Sequence, residues 1–487
     1  MSNARATAAE TGSLDTFPRL LMNHARQRPN RPAMREKEYG IWQTYTWAEV
    51  AERVRSIASG LAELGFRRGD RLAVVGDNRP RLYWSVAACQ CLGGIPVMMY
   101  QDAVAQEMAY VMEDAEIRFA CVEDQEQVDK MLEIKDGLPL LEHVIYDDPR
   151  GLRHYNQTFL HGLDEVLEMG RIHDQHHPDF LGNEIDKGSP DDVSVMLYTS
   201  GTTGKPKGVC QSHSAFIAAA QGGCSFDKLT DQDDILSYLP MAWVGDHLFS
   251  YAQALVAGFT INCPESGETV MGDLREIGPT YYFAPPRVFE NLLTQVMIRM
   301  EDASGIKRKV FEHFMDVARR CGADLLDGKP VSAGDRLQYA LGNALIYGPL
   351  KNVLGLSRVR VAYTAGAAIG PDLFRFYRSI GINLKQLYGQ TETCAYVCLQ
   401  PDGQIKLDSV GTPAPNVEVK LADNGEILVR GPMLLKSYYK RPDATAESIN
   451  AEGYFMTGDA GFFDEDGHLK IIDRAKDVGK LTGGGMF

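Results

Sequence analysis

The residues of this chain best suited to chemistry form one run rich in glycine and hydroxyl groups, Tyr198-Thr-Ser-Gly-Thr-Thr-Gly-Lys-Pro-Lys-Gly-Val209. Backbone N–H groups at glycines can approach an anion closely, hydroxyls donate hydrogen bonds to it, and lysines supply charge. The run follows an apolar segment at 193–198 that is typical of a buried strand, and a strand leading into such a loop indicates a phosphate-binding site. It is not a Walker A loop, because Pro206 follows Lys205, and it holds no G-x-G-x-x-G pattern. On composition alone, an ordinary flexible connection is an equally good interpretation.

Four further segments offer groups that bind nucleotides. Tyr363-Thr-Ala-Gly-Ala-Ala368 places small residues after a predicted strand, where a flat ligand can lie against the backbone. Tyr388-Gly-Gln-Thr-Glu392 offers a ring, a hydroxyl and a carboxylate after the strand predicted at 383–387, and α/β sheets usually bind ligands at such strand ends. Thr457-Gly-Asp459 puts an acid on a tight turn, and Asp473-Arg-Ala-Lys-Asp477 lies near the end of the sequence. Each segment alone is more often structural, but all five in this order are specific.

Composition limits the classes of protein. A chain of 487 residues predicts more than one domain, and 44% hydrophobic with 24% charged residues is typical of a soluble globular protein. The net charge of −15 argues against non-specific nucleic-acid binding. Nine scattered cysteines without a C-x-x-C pair favour neither a zinc site nor a disulfide framework, and fit the cytoplasm. The first residues lack the apolar region of a secretory signal. The sparsely charged stretch 235–263 contains Pro240, Gly245 and Asp246, so we expect a strand, a turn, a helix and a second strand there, and no transmembrane segment.

The elements that position these groups alternate between strand and helix patterns. Before residue 190 we predict strands at 71–75, 95–100 and 118–122, and helices at 47–64 (capped by Thr46), 81–91, 104–114 and 125–134. That alternation predicts a parallel sheet covered by helices. Residues 191–395 repeat it around a long helical insertion from 286 to about 356, and residues from 409 onward read as β-hairpins. We therefore expect α/β subdomains at 1–190 and 191–395, a β-rich subdomain at 396–473, and a hinge from 474 to 487.

Together the five segments resemble the motifs of the adenylate-forming, or AMP-binding, superfamily, from about Phe17 to the end of the chain. Its members include acyl-CoA ligases, luciferases and the adenylation domains of peptide synthetases. The insertion after Ala284-Pro-Pro-Arg287 and the segment Leu239-Pro-Met-Ala-Trp243 are most similar to bacterial long-chain fatty acid CoA ligases. The resemblance implies an α/β fold, with a large N-terminal domain of two helix-covered, mainly parallel sheets and a small β-barrel-like subdomain. It also implies that a carboxylate and ATP form an acyl-adenylate and pyrophosphate with Mg²⁺, after which CoA accepts the acyl group.

The resemblance further implies roles for individual residues. The phosphate loop corresponds to Thr199, Ser200, Gly201, Thr202, Thr203, Gly204 and Lys205. Magnesium binding is assigned to Glu392 with Thr199, and α-phosphate binding to Thr391. Adenine would contact Gly366, Ala367, Ala368 and Tyr388, and ribose would contact Asp459 with Arg474 nearby. The rest of the nucleotide site would be formed by Gln386, Gly389, Gln390 and Ile471. The acyl tunnel would be lined by Trp243, His247 and Tyr363, although a core tryptophan and a structural histidine are open alternatives, and the hinge residue would be Lys476.

Members of the superfamily continue past this hinge into a domain of roughly a hundred residues, which carries a lysine for adenylation. We expect the sequence ending at Phe487 to lack that domain, to bind ATP and to adenylate poorly. Two other functions stay open, a fatty acyl-AMP ligase that loads a carrier protein and a non-catalytic nucleotide- or acyl-binding module. A homodimer and a transient peripheral membrane contact are also compatible with the sequence.

Overall fold

The structure, a computed structural model, describes residues 13–199 and 204–477. Its strands, numbered β1–β21 in chain order, are Pro32–Glu38, Ile41–Thr46, Arg71–Val75, Ile95–Met99, Phe119–Val122, His143–Tyr146, Leu160–Gly162, Val193–Thr199, Lys207–Ser212, Asp234–Leu236, Thr260–Cys263, Tyr281–Phe283, Val361–Thr364, Leu384–Tyr388, Cys398–Leu399, Thr412–Pro413, Glu418–Leu421, Glu426–Arg430, Ser437–Tyr438, Phe455–Phe463 and Leu469–Arg474.

The α-helices, numbered α1–α17, are Phe17–Gln27, Trp47–Glu63, Pro80–Cys91, Ala105–Asp114, Gln125–Ile134, Leu163–His176, Phe180–Asp186, His213–Asp227, Val244–Asp246, Gln253–Ala257, Val270–Ile277, Pro286–Glu301, Gly305–Leu326, Ala333–Gly342, Gly348–Val353, Pro371–Ser379 and Pro442–Ser448. Segments of π-helix at His247–Ala252 and Asn343–Tyr347 join neighbouring α-helices, and short 3₁₀ turns occur at Lys135–Gly137 and Thr391–Thr393. Among the described residues, no helix is both long and apolar enough to cross a membrane.

The described residues divide into two compact units. Unit 1 contains the described residues within 1–221, 237–263 and 433–445. Unit 2 contains the described residues within 222–236, 264–432 and 446–487. The domain boundaries expected after residues 190, 395 and 473 stay a prediction.

Unit 1 is built on a mainly parallel sheet. Its eight strands follow the order β19-β9-β8-β4-β3-β5-β6-β7, and every pair from β8 to β7 is parallel. The central strand β3 is apolar after Arg71 and buried from its second residue on, as expected for a strand covered on both faces. The antiparallel pair β8 and β9 ends with Thr199 opposite Lys207, and this pair forms the base of the predicted phosphate loop. A second group of strands in unit 1 has the order β11-β1-β2.

Local sequence signals position the helices of unit 1. The backbone N–H of Glu49 donates to Thr46 Oγ1 (3.3 Å), and the N–H of Thr46 donates to Glu49 Oε2 (2.8 Å). This capping box fixes the start of α2 one residue after Thr46, where the sequence predicts it. Helix α5 matches its predicted bounds at both ends, and α3 and α4 each differ from theirs by one residue at the start.

Unit 2 contains strands in the order β16-β15-β14-β13-β12-β10, of which β10, β12, β13 and β14 are parallel. The predicted helical insertion is present as α12–α15. A separate antiparallel sheet has the order β17-β18-β20-β21. The expected fold class is confirmed: a mixed α/β fold with helix-covered sheets and a small antiparallel sheet.

Candidate nucleotide site

The acid predicted to contact ribose, Asp459, is held by three side chains of unit 2. Its Oδ2 accepts hydrogen bonds from the Tyr388 hydroxyl (2.6 Å) and from Gln390 Nε2 (2.6 Å). Its Oδ1 lies 2.9 Å from Arg474 Nη1. The Asp459 side chain is 14% exposed and the Arg474 side chain 47%, so the carboxylate is fixed in orientation but still reaches the surface. Such a carboxylate is a strong, pre-oriented acceptor for hydroxyl groups.

A β-bulge brings Asp459 and Arg474 opposite each other. Along β20 and β21, Gly461 pairs with Ile471, but Ala460 pairs with Asp473 and Asp459 pairs with Arg474. Ile472 is therefore the extra residue, and the register shift moves Arg474 rather than Asp473 next to the acid. The turn before Asp459 needs Gly458, whose φ is +72°, and the Asp459 N–H donates to Thr457 Oγ1 (3.1 Å).

The tyrosine of this cluster stays protonated over the physiological range. Burial, followed by the charge of Asp459, raises the pKa of Tyr388 well above its usual value. Its hydroxyl is therefore a permanent donor to the carboxylate. Gln390 Nε2 also donates to the Thr457 carbonyl (2.9 Å), which joins the loop after β14 to strand β20.

The loop that carries Thr391 and Glu392 has a tightly determined backbone. A Cβ at Gly389 would lie 2.2 Å from the carbonyl carbon of Ala395, so only glycine fits there. Gln390 caps the 3₁₀ turn through its N–H, which donates to Thr393 Oγ1 (2.9 Å). Cys394 and Ala395 both have positive φ, at +51° and +55°, a strained conformation for residues other than glycine and one that clusters at functional sites. This loop leaves the Thr391 and Glu392 side chains half-buried.

The three small residues predicted to contact adenine lie exposed after strand β13. They are Gly366, with φ +86°, Ala367 and Ala368. By contrast, two other predicted contacts have their polar atoms engaged inside unit 2. The Tyr363 hydroxyl donates to Asp227 Oδ1 (3.0 Å), and Gln386 Nε2 donates to the Ser409 carbonyl (3.1 Å). Their contacts with a ligand stay predictions.

The partner of Tyr363 is a buried residue that sequence reasoning missed. Asp227 also pairs with Lys385 (3.1 Å), and both side chains are almost fully buried in unit 2. Burial raises the pKa of Asp227 despite the ammonium beside it. No local pattern marks Asp227, because it lies at the end of helix α8 and its partners are more than 130 residues away along the chain.

The described part of the phosphate loop belongs to unit 1. Thr199 is half-buried, and Gly204 and Lys205 are exposed; Ser200, Gly201, Thr202 and Thr203 lie outside the described residues. Lys205 Nζ lies 4.9 Å from the centre of the Tyr110 ring, a cation–π distance, and the Tyr110 hydroxyl donates to the Pro206 carbonyl (3.0 Å). Tyr110 therefore supports the lysine end of the loop. The sequence held no signal for this, because Tyr110 lies on helix α4, almost a hundred residues earlier.

The predicted tunnel residues Trp243 and His247 also belong to unit 1. Trp243 is half-buried, and a Cβ at Gly245 would lie 2.7 Å from its ring. His247 is buried in the π-helical segment, with its ring against those of Phe17 and Phe216. Burial lowers the pKa of His247 to about 3, so it is neutral at pH 7, and among the described residues its Nε2 has no hydrogen-bond partner. These surroundings fit the structural alternative for His247, and its role toward an acyl chain stays a prediction.

The remaining predicted residues lie on or after strand β21. Ile471 is half-buried opposite Gly461, and Lys476 is exposed in the turn that follows the strand. Among the described residues, no group of three or more His, Cys, Asp or Glu side chains could hold a metal ion by itself. A cation bound near Glu392 would therefore need oxygen ligands from a substrate.

A family profile described as AMP-binding enzyme matches residues 21–439. This chain belongs to the AMP-binding enzyme family. The match includes the phosphate loop and the segment from Tyr388 to Glu392, and it ends before Asp459. The resemblance to the adenylate-forming superfamily is confirmed.

Two curated relatives of this AMP-binding enzyme cover almost all of its length. The long-chain-fatty-acid–CoA ligase FadD15 of Mycobacterium bovis is 28% identical over 484 residues, which are 97% of this chain and 76% of the relative. The long-chain-fatty-acid–CoA ligase ACSBG2 of Xenopus laevis is 28% identical over 468 residues, which are 93% of this chain and 62% of the relative.

Solved structures establish the fold of this AMP-binding enzyme independently. The anthranilate CoA ligase AuaEII in complex with anthranoyl-AMP superposes with a TM-score of 0.73 at 18% identity, over 97% of this chain and 80% of that one. A Mycobacterium tuberculosis fatty acyl CoA synthetase superposes with a TM-score of 0.68 at 20% identity, over 97% of this chain and 80% of that one.

Proposed function

We propose that this protein activates a fatty acid with ATP, releasing pyrophosphate and forming an acyl-adenylate, and then transfers the acyl group to the thiol of CoA. The observation that carries this assignment is the Asp459 cluster. A carboxylate fixed by Tyr388, Gln390 and Arg474 and still partly exposed is suited to accept the two vicinal hydroxyls of a ribose.

The surroundings of Asp459 also suit the adenine ring. Tyr388, whose hydroxyl donates to the carboxylate, supplies an aromatic ring, and the exposed segment from Gly366 to Ala368 presents backbone without bulky side chains. An aromatic ring and an open backbone are a common setting for a planar heterocycle. We assign adenine binding to Tyr388, Gly366, Ala367 and Ala368.

The first chemical step joins a weak carboxylate nucleophile to the α-phosphorus, so it depends on positioning and on compensation of phosphate charge. We assign Lys205 to that compensation, with the hydroxyl and backbone groups of 199–204 as donors. The cation–π contact places the Lys205 ammonium group over the Tyr110 ring. Thr391 is assigned to the α-phosphate, because it is half-buried in the tightly determined 3₁₀ turn.

The oxygen ligands that this chain offers at Glu392 fit Mg²⁺ only when the ion is also bound to the phosphates of a nucleotide. Mg²⁺ typically binds through one or two carboxylates together with substrate phosphates and water, and Glu392 offers one half-buried carboxylate. We assign Glu392 to this role, with Thr199 as a predicted second contact. When bound, the ion would neutralise charge on the phosphates.

The acyl substrate is assigned from the relatives. Both curated relatives carry the name long-chain-fatty-acid–CoA ligase, and this supports a medium- or long-chain fatty acid and CoA as substrates here. We assign Trp243, His247 and Tyr363 to the acyl-binding region as predictions. A cytoplasmic location and a homodimer stay predictions too.

The assignment is tested by ATP–pyrophosphate exchange with carboxylic acids from acetate to long-chain fatty acids, followed by addition of CoA. Binding of a non-hydrolysable acyl-adenylate analogue is measured in parallel by calorimetry. We expect exchange and analogue binding to peak with medium or long chains. The absence of both exchange and analogue binding at every chain length would contradict an adenylating function. Exchange without formation of acyl-CoA would favour the carrier-loading alternative.

The metal role of Glu392 is tested by Glu392→Gln, which keeps size and removes the charge. Exchange by this variant should fall by about a hundredfold or more, since a metal-assisted charge compensation is worth several kcal/mol. Glu465→Gln is the matched control, because Glu465 is an exposed glutamate in the turn between β20 and β21. Wild-type exchange by Glu392→Gln, with the same Mg²⁺ dependence, would refute the role.

A further inference from the structure

Exposed apolar side chains concentrate in the helical insertion of unit 2. Of the sixteen large hydrophobic residues exposed in the described part of the chain, eight lie between residues 297 and 353: Met297, Ile298, Ile306, Val310, Leu337, Leu341, Leu345 and Val353. That segment is about an eighth of the sequence. Single exposed apolar residues are ordinary, but a concentration of this kind marks an interaction surface.

Four of these residues follow one continuous helix. Helix α14, the π-helical segment Asn343–Tyr347 and α15 join without a break from 333 to 353. Leu337, Leu341 and Leu345 recur every four residues and are 73%, 53% and 54% exposed. Residues four apart lie on the same face of a helix, so these leucines form one stripe that points away from the core.

The other four lie where α12 ends and α13 begins. Ile306 and Val310 are four residues apart at the start of α13, and Ile306 is 79% exposed. Between them lie three consecutive cations, Lys307, Arg308 and Lys309, all exposed. Met297 and Ile298 directly precede a fourth cation, Arg299, near the end of α12.

An apolar cavity of about 270 Å³ lies between the 333–353 helix and the adjoining parts of α12 and α13. Its lining includes Arg299 and Met300 of α12, Phe311 of α13, and Leu345 and Val353 of the 333–353 helix. Leu345 and Val353 thus share this cavity with Arg299 and Phe311, which directly follow Ile298 and Val310 in the chain, and we call the surface around it the insertion face. It consists of the eight exposed apolar residues and this cavity.

The charge of the insertion differs from that of the rest of the chain. The whole sequence has a net charge of −15, but residues 297–353 contain nine Lys and Arg against seven Asp and Glu. On the 333–353 helix the one acid is Asp335, whose N–H donates to the capping side chain of Ser332 and whose carboxylate pairs with Arg320. In the described structure, Arg299, Arg336, Lys307 and Lys309 form no ion pair, so their charges are available to an external partner.

We propose that the insertion face docks on the surface of an anionic lipid bilayer. Apolar side chains interspersed with Lys and Arg are the composition of segments that lie in the interface of a membrane. The negative remainder of the protein is repelled by such a surface, so the charge distribution selects this face. A second copy of the chain would instead bring two groups of unpaired cations together, which disfavours self-association through the same face. Docking goes beyond the proposed reaction and needs neither ATP nor CoA.

The test is co-sedimentation of the protein, without nucleotide, with vesicles of phosphatidylcholine alone or mixed with phosphatidylglycerol. We expect binding to the anionic vesicles, weaker binding to the neutral ones, and a decrease with added salt. Leu337→Glu/Leu341→Glu should lower the partition coefficient by about tenfold or more, because it places charge in the apolar stripe. The matched control is Ile172→Glu, since Ile172 is a 50% exposed isoleucine on helix α6 of unit 1; it should bind as the wild type does. Circular dichroism checks that both variants fold.

Three outcomes would overturn the assignment. Failure of the wild type to sediment with anionic vesicles at low salt would show that the face does not bind membranes. Equal binding by the wild type and Leu337→Glu/Leu341→Glu would place the contact elsewhere. Self-association in light scattering that the double variant abolishes, without vesicle binding, would identify a second copy as the occupant. Because binding is measured without turnover, failure here is distinguishable from failure of the adenylation assignment.

Discussion

Asp459 in unit 2 and Asp246 in unit 1 both accept hydrogen bonds from several side chains, but only Asp459 has a cation beside it. Asp246 is fully buried and accepts from the Tyr83 hydroxyl (2.7 Å), Ser237 Oγ (2.9 Å) and Asn78 Nδ2 (3.1 Å). Burial raises the pKa of Asp246 to about 6, although these donors oppose the shift. Neutral donors can thus orient a carboxylate without compensating the cost of burying its charge.

The difference separates a structural carboxylate from one suited to bind a ligand. Asp246 holds neighbouring elements of unit 1 together and is out of reach of solvent. Asp459 combines two neutral donors with Arg474 and stays partly exposed, so a ligand can reach it. The same substitution, Asp to Asn, should therefore increase the stability of the fold at Asp246 above pH 6 but weaken nucleotide binding at Asp459.

The largest effect is expected for the pH dependence of stability at Asp246. Its pKa is higher in the folded state, about 6, than in the unfolded state, near 3.8, so the folded protein binds more protons between these values. Its contribution is complete below pH 4 and is lost as the pH rises through about 6. Relative to the wild type, Asp246→Asn should gain about 3 kcal/mol in the free energy of unfolding from pH 4 to above pH 6. Urea unfolding of both proteins across this range measures the gain.

Buried histidines of unit 1 act in the opposite direction in both proteins and cancel in that difference. Burial lowers the pKa of His213 to about 4, and its Nδ1 accepts from the Phe17 N–H (3.3 Å). A constant difference between wild type and Asp246→Asn over the whole range would show that Asp246 does not titrate as its surroundings indicate.

A smaller effect is expected when the cation of the binding carboxylate is removed. Arg474→Gln leaves Asp459 with neutral donors only, as at Asp246. Affinity for the acyl-adenylate analogue should fall by roughly 10- to 100-fold, since hydrogen bonds to charged groups contribute about 1.5–3 kcal/mol. Calorimetry measures the change, with Arg430→Gln as control, because Arg430 pairs with Glu418 on the same antiparallel sheet. Unchanged affinity in Arg474→Gln would mean that the cation is dispensable.

The smallest effect is expected for Tyr388→Phe. This variant keeps the ring and removes one neutral donor to Asp459, and Gln390 still donates to the same oxygen. Affinity for the analogue should fall by roughly 2- to 10-fold. A loss as large as that of Arg474→Gln would show that the hydroxyl, and not the cation, determines the strength of the site.

The sequence predicted the elements better than the contacts between them. Local signals were sufficient for helix α2, whose start is set by Thr46 and Glu49, and for strand β3, whose apolar run indicates burial on both faces. Asp227 escaped prediction because its hydrogen bond to Tyr363 and its pair with Lys385 join residues far apart in the chain. Such contacts depend on the order of strands in the sheet, which no local pattern specifies.

The site itself shows the same limit at one position. The turn at Asp466-Gly467 predicts a hairpin, in which Phe463 pairs with Leu469. If the two strands paired regularly from there, Asp459 would lie opposite Asp473. The bulge at Ile472 shifts the pairing and brings Arg474 there instead. Resemblance to the superfamily placed Arg474 near Asp459, but hydrophobic alternation alone would have paired two acids.

The central claim, that Asp459 binds the ribose hydroxyls, is tested most directly by comparing ATP with 2′,3′-dideoxy-ATP in calorimetric titrations. Wild-type protein should bind ATP about tenfold or more tightly than the dideoxy analogue. Asp459→Asn should bind both nucleotides weakly and with nearly equal affinity, whereas Asp408→Asn, which removes the exposed partner of Lys470, should keep the preference. An undiminished preference for ATP in Asp459→Asn would contradict the account.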